Sequence, residues 1–143
     1  MNAEQKSSSL ARLNASSRDT LMEVLEIVYS DFGDNFLEAT MPVSSRVHQP
    51  MGLLHGGATA ALAESVGSAA SAMRVDLKTQ AVVGMELSIN HLRGVREGMV
   101  TARAEAVHLG RSTHLWDIRI QDGEGRLVAV SRLSMMVLER AGD

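Results

Sequence analysis

The chain contains no cysteine, which removes disulfides, thiolate metal sites and cysteine nucleophiles together. Aromatic residues are 3% of the 143 positions, too few for a surface that stacks nucleobases. Lysine and arginine number 14 against 17 aspartates and glutamates, so the basic excess of a bulk nucleic-acid binder is missing. No apolar run approaches a membrane span, and the first residues lack the charged-then-apolar order of a secretion signal. A cytoplasmic protein with no membrane or nucleic-acid partner is expected. The five histidines have no close spacing to one another or to carboxylates that would hold a metal. There is no Gly-x-Ser-x-Gly elbow, P-loop or dinucleotide fingerprint. Neither metal nor cofactor is expected.

What remains is an ordinary globular composition, 45% hydrophobic, in a length that suits one domain. Met1 to about Ser17 is polar and serine-rich with weak periodicity, and reads as a flexible arm before a single domain over 18–143. From Arg18, Leu21, Val24, Leu25, Val28 and Phe32 recur at helical spacing, predicting a helix that ends at Gly33-Asp34. Phe36 to Val43 alternates and predicts a strand. A Pro- and Gly-bearing loop follows, then a second helix from about Gly56 to Met73. Strands are predicted over 81–93, 100–109, 113–122 and 126–138, joined by short turns into an antiparallel meander. The fold class is α+β: about five antiparallel strands curled round one long helix, with an extra N-terminal helix. Gly, Ala and Ser dominate that long helix, as close approach of a surrounding sheet would require.

The run His55-Gly56-Gly57, followed by Glu64, carries the chemistry. A helix opening on two glycines offers unpaired N–H groups to an incoming oxygen. A carboxylate two turns further in, among residues too small to shield it, is costly to bury without a task. An oxyanion-binding end and an acid/base or nucleophilic group on one rigid element suit acyl transfer. Ser68 lies one turn beyond Glu64 on the same face. Each residue also has an ordinary explanation: a helix glutamate in solvent, glycines for packing, a capping histidine, and a serine bonded back to its helix.

In the blocks Gln49-Pro50-Met51-Gly52-Leu53-Leu54-His55-Gly56-Gly57, Ala63-Glu64-Ser65-Val66-Gly67-Ser68, Val83-Gly84-Met85-Glu86 with Asn90-His91-Leu92-Arg93, and His108-Leu109-Gly110-Arg111, the chain resembles the hotdog-fold acyl-CoA thioesterases. The likeness is greatest to the branch that cleaves aryl-CoA thioesters. That branch includes the 4-hydroxybenzoyl-CoA and 1,4-dihydroxy-2-naphthoyl-CoA thioesterases and the proofreading thioesterase of enterobactin synthesis. The resemblance implies that Glu64 is base or nucleophile and that the Gly56 amide and Gln49 side chain polarise the thioester carbonyl. It places Ser68 and His91 near the leaving sulfur, and His55 is a further candidate. Of Arg93, Arg96, Arg111 and Arg132, which lie at strand ends or turns within reach of the phosphates of CoA, Arg93 and Arg111 come first because they fall inside these blocks, with Gly110 and Met85 as further substrate-binding candidates.

The implied assembly is a homodimer or homotetramer with sites at the subunit interface, where His91 would act on substrate bound by a neighbouring chain. The substrate would be an acyl-CoA, with an acyl-carrier protein as the other source of the thioester. The competing reading is a non-catalytic acyl-CoA or acyl-carrier binding module of the same fold. A dehydratase of that fold ranks third.

Overall fold

The computed structural model describes residues 1–141. The long helix and the strands after it lie close to where the sequence pattern puts them. Helix α3 spans Gly56–Ala72, and the strands are β2 (Phe36–Val43), β3 (Gln80–His91), β4 (Gly98–Leu109), β5 (Thr113–Gln121) and β6 (Leu127–Glu139). Strand β2 shows the expected alternation, with Leu37, Ala39, Met41 and Val43 buried and the intervening residues half-buried. The inner faces of β4, β5 and β6 add residues such as Val100, Trp116, Ile118 and Leu133. Together they close on Leu62, Ala63, Val66 and Ala70 of α3.

The small residues of α3 are there for space. A Cβ on Gly67 would lie 2.5 Å from a methyl of Leu133 and 3.0 Å from one of Ile118. Sheet and helix therefore approach more closely than an ordinary side chain permits.

Three features depart from the expectations. The segment expected as a flexible arm contains helix α1, Ala3–Ala15. A reciprocal capping box holds its start: the Asn2 side chain accepts from Gln5 N–H, and the Gln5 side chain accepts from Asn2 N–H. Near its end the Asn14 amide bridges both backbone groups of Tyr29, at 3.0 and 2.8 Å, while Leu10 and Leu13 pack on the core. Two tethering leucines in a serine-rich run leave little periodic signal to read.

The helix expected from Arg18 to Phe32 is instead a single turn, α2 (Leu21–Val24), followed by strand β1 (Val28–Phe32). Glu26 breaks the helix with a φ of 58°, a left-handed conformation rare for residues with side chains. Leu21, Val24 and Val28, which set the helical period, are exposed. The buried residues are Ile27 and Tyr29, two apart as a strand requires. Pairing with β2 overrides local propensity here, so the sheet has six strands rather than five.

The four later strands do not form a simple meander. The order β1-β2-β4-β5-β6-β3 puts β3 at the sheet edge, paired with β6 rather than β4. Residues 92–97 therefore cross over instead of making the expected hairpin. The crossover is anchored on the loop before α3. Leu54 N–H donates to Val95 O at 2.7 Å, the His48 Nε2 and Arg96 O are 2.8 Å apart, and Val95 is buried. That anchorage brings His91 and Arg93 to the N-terminal end of α3.

Candidate active site

The first turn of α3 has an unusual distribution of donors. His55 is the N-cap, and its Nδ1 accepts the Gly57 N–H at 2.7 Å. The Ala58 and Thr59 N–H groups donate to the His55 carbonyl. Among the described residues Gly56 N–H has no acceptor, and it is the free donor at this helix end. To accept this bond, Nδ1 must be the unprotonated nitrogen of the ring. By occupying the neighbouring N–H, His55 leaves that of Gly56 as the uncommitted donor of this turn.

Gln49 is arranged to a similar effect. Its Oε1 accepts from Met51 N–H at 2.5 Å, while the Gln49 backbone closes the loop through Leu53 O and Gly52 N–H. With Oε1 committed, the amide NH2 is left as the available end. Gln49, Gly56, Thr59, His91 and Arg93 line one cleft of about 420 Å³. A Cβ on Gly56 would stand 3.0 Å from His91 Nε2, so the imidazole occupies the space a side chain would take. His91 therefore sits against Gly56 of its own chain.

Glu64 is the largest correction. The sequence reading buries it inside the wrapped helix, whereas in the single chain it is exposed. The buried stripe of α3 runs through Thr59, Leu62, Ala63, Val66, Gly67, Ala70 and Ser71, leaving Glu64 on the uncovered side. Among the described residues no hydrogen bond or ion pair engages its carboxylate. Its Oε1 lies over Gly84 of β3, 2.7 Å from where a Cβ would be. Ser68 is close by: its hydroxyl donates to Met135 Sδ at 3.8 Å, and that sulfur is 3.8 Å from the same Gly84 Cβ position. Glu64 and Ser68 therefore share a face, as their spacing requires. Ser68 bonds across to β6 rather than back to its own helix.

A family model described as the thioesterase superfamily matches residues 51–129, more than half the chain. The chain belongs to that superfamily. It is a hotdog-fold thioesterase, a thioester hydrolase. Relatives agree over nearly the full length. The chain is 50% identical to the proofreading thioesterase EntH of Cronobacter sakazakii over 129 residues, 90% of this chain and 93% of that protein. A solved glutamine-to-alanine variant of thioesterase PA1618 from Pseudomonas aeruginosa superposes with a TM-score of 0.90 at 50% identity, covering 92% of this chain and 94% of that one. Thioesterase SAV0944 from Staphylococcus aureus, also solved as a glutamine-to-alanine variant, gives a TM-score of 0.80 at 38% identity, with coverage of 82% and 97%. The same protein is also solved with a glutamate replaced by alanine.

The thioesterase fold divides the expected site residues into three places. Gln49, His55, Gly56, His91 and Arg93 gather at the N-terminal end of α3. Glu64 and Ser68 stand mid-helix beside the β3 edge, next to Met85, the extra residue of a bulge between Gly84 and Glu86. Gly110 and Arg111 line a separate cleft of about 300 Å³ with Arg74, Gln80 and His114, towards the other end of α3. Residue-type reasoning missed Thr59, a buried hydroxyl in the first cleft, and Arg74, which donates to Gly33 O. It also missed His48, whose bond to the crossover was legible only once the topology was known.

His114 has a structural role in the core. Trp116 Nε1, which can only donate, gives its hydrogen to Ser71 Oγ at 2.7 Å, and Ser71 Oγ is 2.9 Å from His114 Nδ1. Burial lowers the His114 pKa below its usual value, with the positive fields of His108 and Arg74 acting in the same direction. Tyr29, bonded through its hydroxyl to Ser65 O, is pushed up to about 12 by burial.

Proposed function

We propose that this thioesterase hydrolyses acyl-CoA thioesters of aromatic or medium-size acyl groups. In this reading Gly56 and Gln49 bind the thioester oxygen and Glu64 supplies the carboxylate. The observation that carries the proposal is the single free N–H of Gly56, isolated by the His55 cap beside the Gln49 amide. A donor fixed before substrate arrives stabilises the developing oxyanion without reorganisation. Glu64 then either takes a proton from a water that attacks the carbonyl carbon, or attacks that carbon itself to form an anhydride that water cleaves. Either way the C–S bond breaks, the thiolate leaves and is protonated, and the acid is released. The separation between the replaced glutamine and the replaced glutamate in SAV0944 equals that between Gln49 and Glu64, which supports pairing these two residues.

In this reading one chain does not hold both halves at one carbonyl. Residues 56 and 64 are eight apart, about 12 Å along a helix, whereas reacting atoms must come within about 3.5 Å. A second copy of the chain solves this if its α3 lies alongside in the opposite direction, bringing each Glu64 to the other's Gly56. Two features suit such a partner: the twelve-residue β3 pairs on one side only, and Val83 and Met85 on it are exposed. The proposed species is a homodimer, or a homotetramer of two such dimers. Arg93, Arg111 and Gly110 are then proposed to meet CoA phosphates, and Met85 the bound chain. No helix among the described residues is long and apolar enough to cross a membrane.

The test is thiol release from benzoyl-CoA and from an aliphatic acyl-CoA, by wild type and by Glu64→Gln. Turnover by wild type, faster on benzoyl-CoA and slower by about 10³-fold or more in the variant, is the expected result. Equal rates in the two proteins would refute the role of Glu64.

A further inference from the structure

Among the described residues nothing polar fixes the Glu64 carboxylate, so its placement depends on what it packs against, and that neighbour is Gly84. A glycine inside a strand weakens it and calls for a reason. Positive φ is not the reason, because among the described residues the left-handed glycines are Gly52, Gly98 and Gly125. The reason is space. A Cβ at Gly84 would lie 2.7 Å from Glu64 Oε1 and 3.7 Å from its Cδ, with Met135 Sδ next at 3.8 Å. No backbone atom is among these neighbours. The register of β3 on β6 also shifts at this point, Gly84 facing Met135 and Glu86 facing Ser134, with Met85 as the added residue. Bulges of this kind bend a strand and re-aim what lies against it.

We infer that Gly84 is a positioning residue for the reaction: its missing side chain is the seat in which the Glu64 carboxylate rests. The inference rests on the proposed role of Glu64. It makes an asymmetric demand on substitution. The group that must yield to an added methyl is the far end of a flexible side chain, so the fold tolerates the change while the carboxylate moves.

Gly84→Ala is therefore expected to fold with a Tm equal to or slightly above wild type, since alanine restricts the unfolded chain more than glycine. Its kcat on benzoyl-CoA should fall about 10- to 100-fold, the order of loss that a displacement near 1 Å produces. KM should stay within about twofold, because the defect lies in the chemical step. Two double variants show whether the effect passes through Glu64. In the Glu64→Gln background, Gly84→Ala should cost nothing further. In the Glu64→Asp background, where the carboxylate is withdrawn by one methylene, the added methyl should cost much less than in wild type. Wild-type kcat in Gly84→Ala, or an equal further loss in the Glu64→Gln background, would overturn the inference while leaving Glu64 in place. Full activity in Glu64→Gln alone would refute the catalytic reading and Gly84's role with it.

Discussion

The two ends of the proposed chemistry are built very differently. At the start of α3, His55 caps Gly57, Gln49 is held by Met51 N–H, and His48 and Leu54 tie the loop to the crossover at Arg96 and Val95. Two turns further along, Glu64 stands exposed, with no polar partner among the described residues and only a glycine beneath it. The Gly56 end is tied together by hydrogen bonds within one chain, whereas the Glu64 end is open. Preorganisation matters most where charge develops, and a fixed donor is effective only if it does not move during the reaction. A carboxylate that a second copy covers gains its low-dielectric surroundings through assembly. In the proposed reading, folding completes one half of the site and association the other.

Removing the carboxylate should have the largest effect on this contrast. Glu64→Gln keeps the shape and is expected to lower kcat by about 10³-fold or more, as loss of a general base or nucleophile does. Circular dichroism and Tm should be unchanged, because the side chain makes no structural bond. At the rigid end, Gln49→Ala should lower kcat by about 10²-fold, the usual cost of one oxyanion donor. A loss confined to KM would mean that Gln49 only binds substrate.

The His55 cap separates local stability from chemistry. His55→Ala leaves Gly57 N–H unpaired and is expected to cost about 1 kcal/mol, a fall of about 3 °C in Tm. His55→Asn, another good cap, should recover most of the Tm, and differential scanning calorimetry on the three proteins would read this. The smallest effect is the pH dependence of His114. Its folded-state pKa is depressed by burial, so the unfolded chain takes up the proton first as pH falls below 6.5. Its contribution is fully present above 6.5 and is lost as pH drops through the folded value. Thermal melts between pH 7.5 and 5 should therefore show a shallower acid decline in His114→Asn than in wild type.

The same division between chain and assembly governs what could be read in advance. The span of α3 was legible because its small residues and the His-Gly-Gly start leave few alternatives, and β2 because its alternation is clean. The segment from Arg18 to Phe32 was not, because three of the residues with helical spacing, Leu21, Val24 and Val28, are left outside by the fold, while Ile27 and Tyr29 carry the strand. The edge position of β3 depends on an anchor between His48 and Arg96 that no local pattern announces. The exposure of Glu64 was illegible for another reason. Residue types signal that the helix is wrapped, but not which side of it the sheet leaves open.

Complementation between two inactive variants tests the shared site most directly. A purified mixed dimer with Glu64→Gln in one subunit and Gln49→Ala in the other contains one intact composite site if each carboxylate serves its partner's carbonyl pocket. About half of wild-type kcat per dimer is then expected, against near-zero rates for either variant alone. A mixed dimer as inactive as its parents would place both groups at one carbonyl within a single chain and contradict the account.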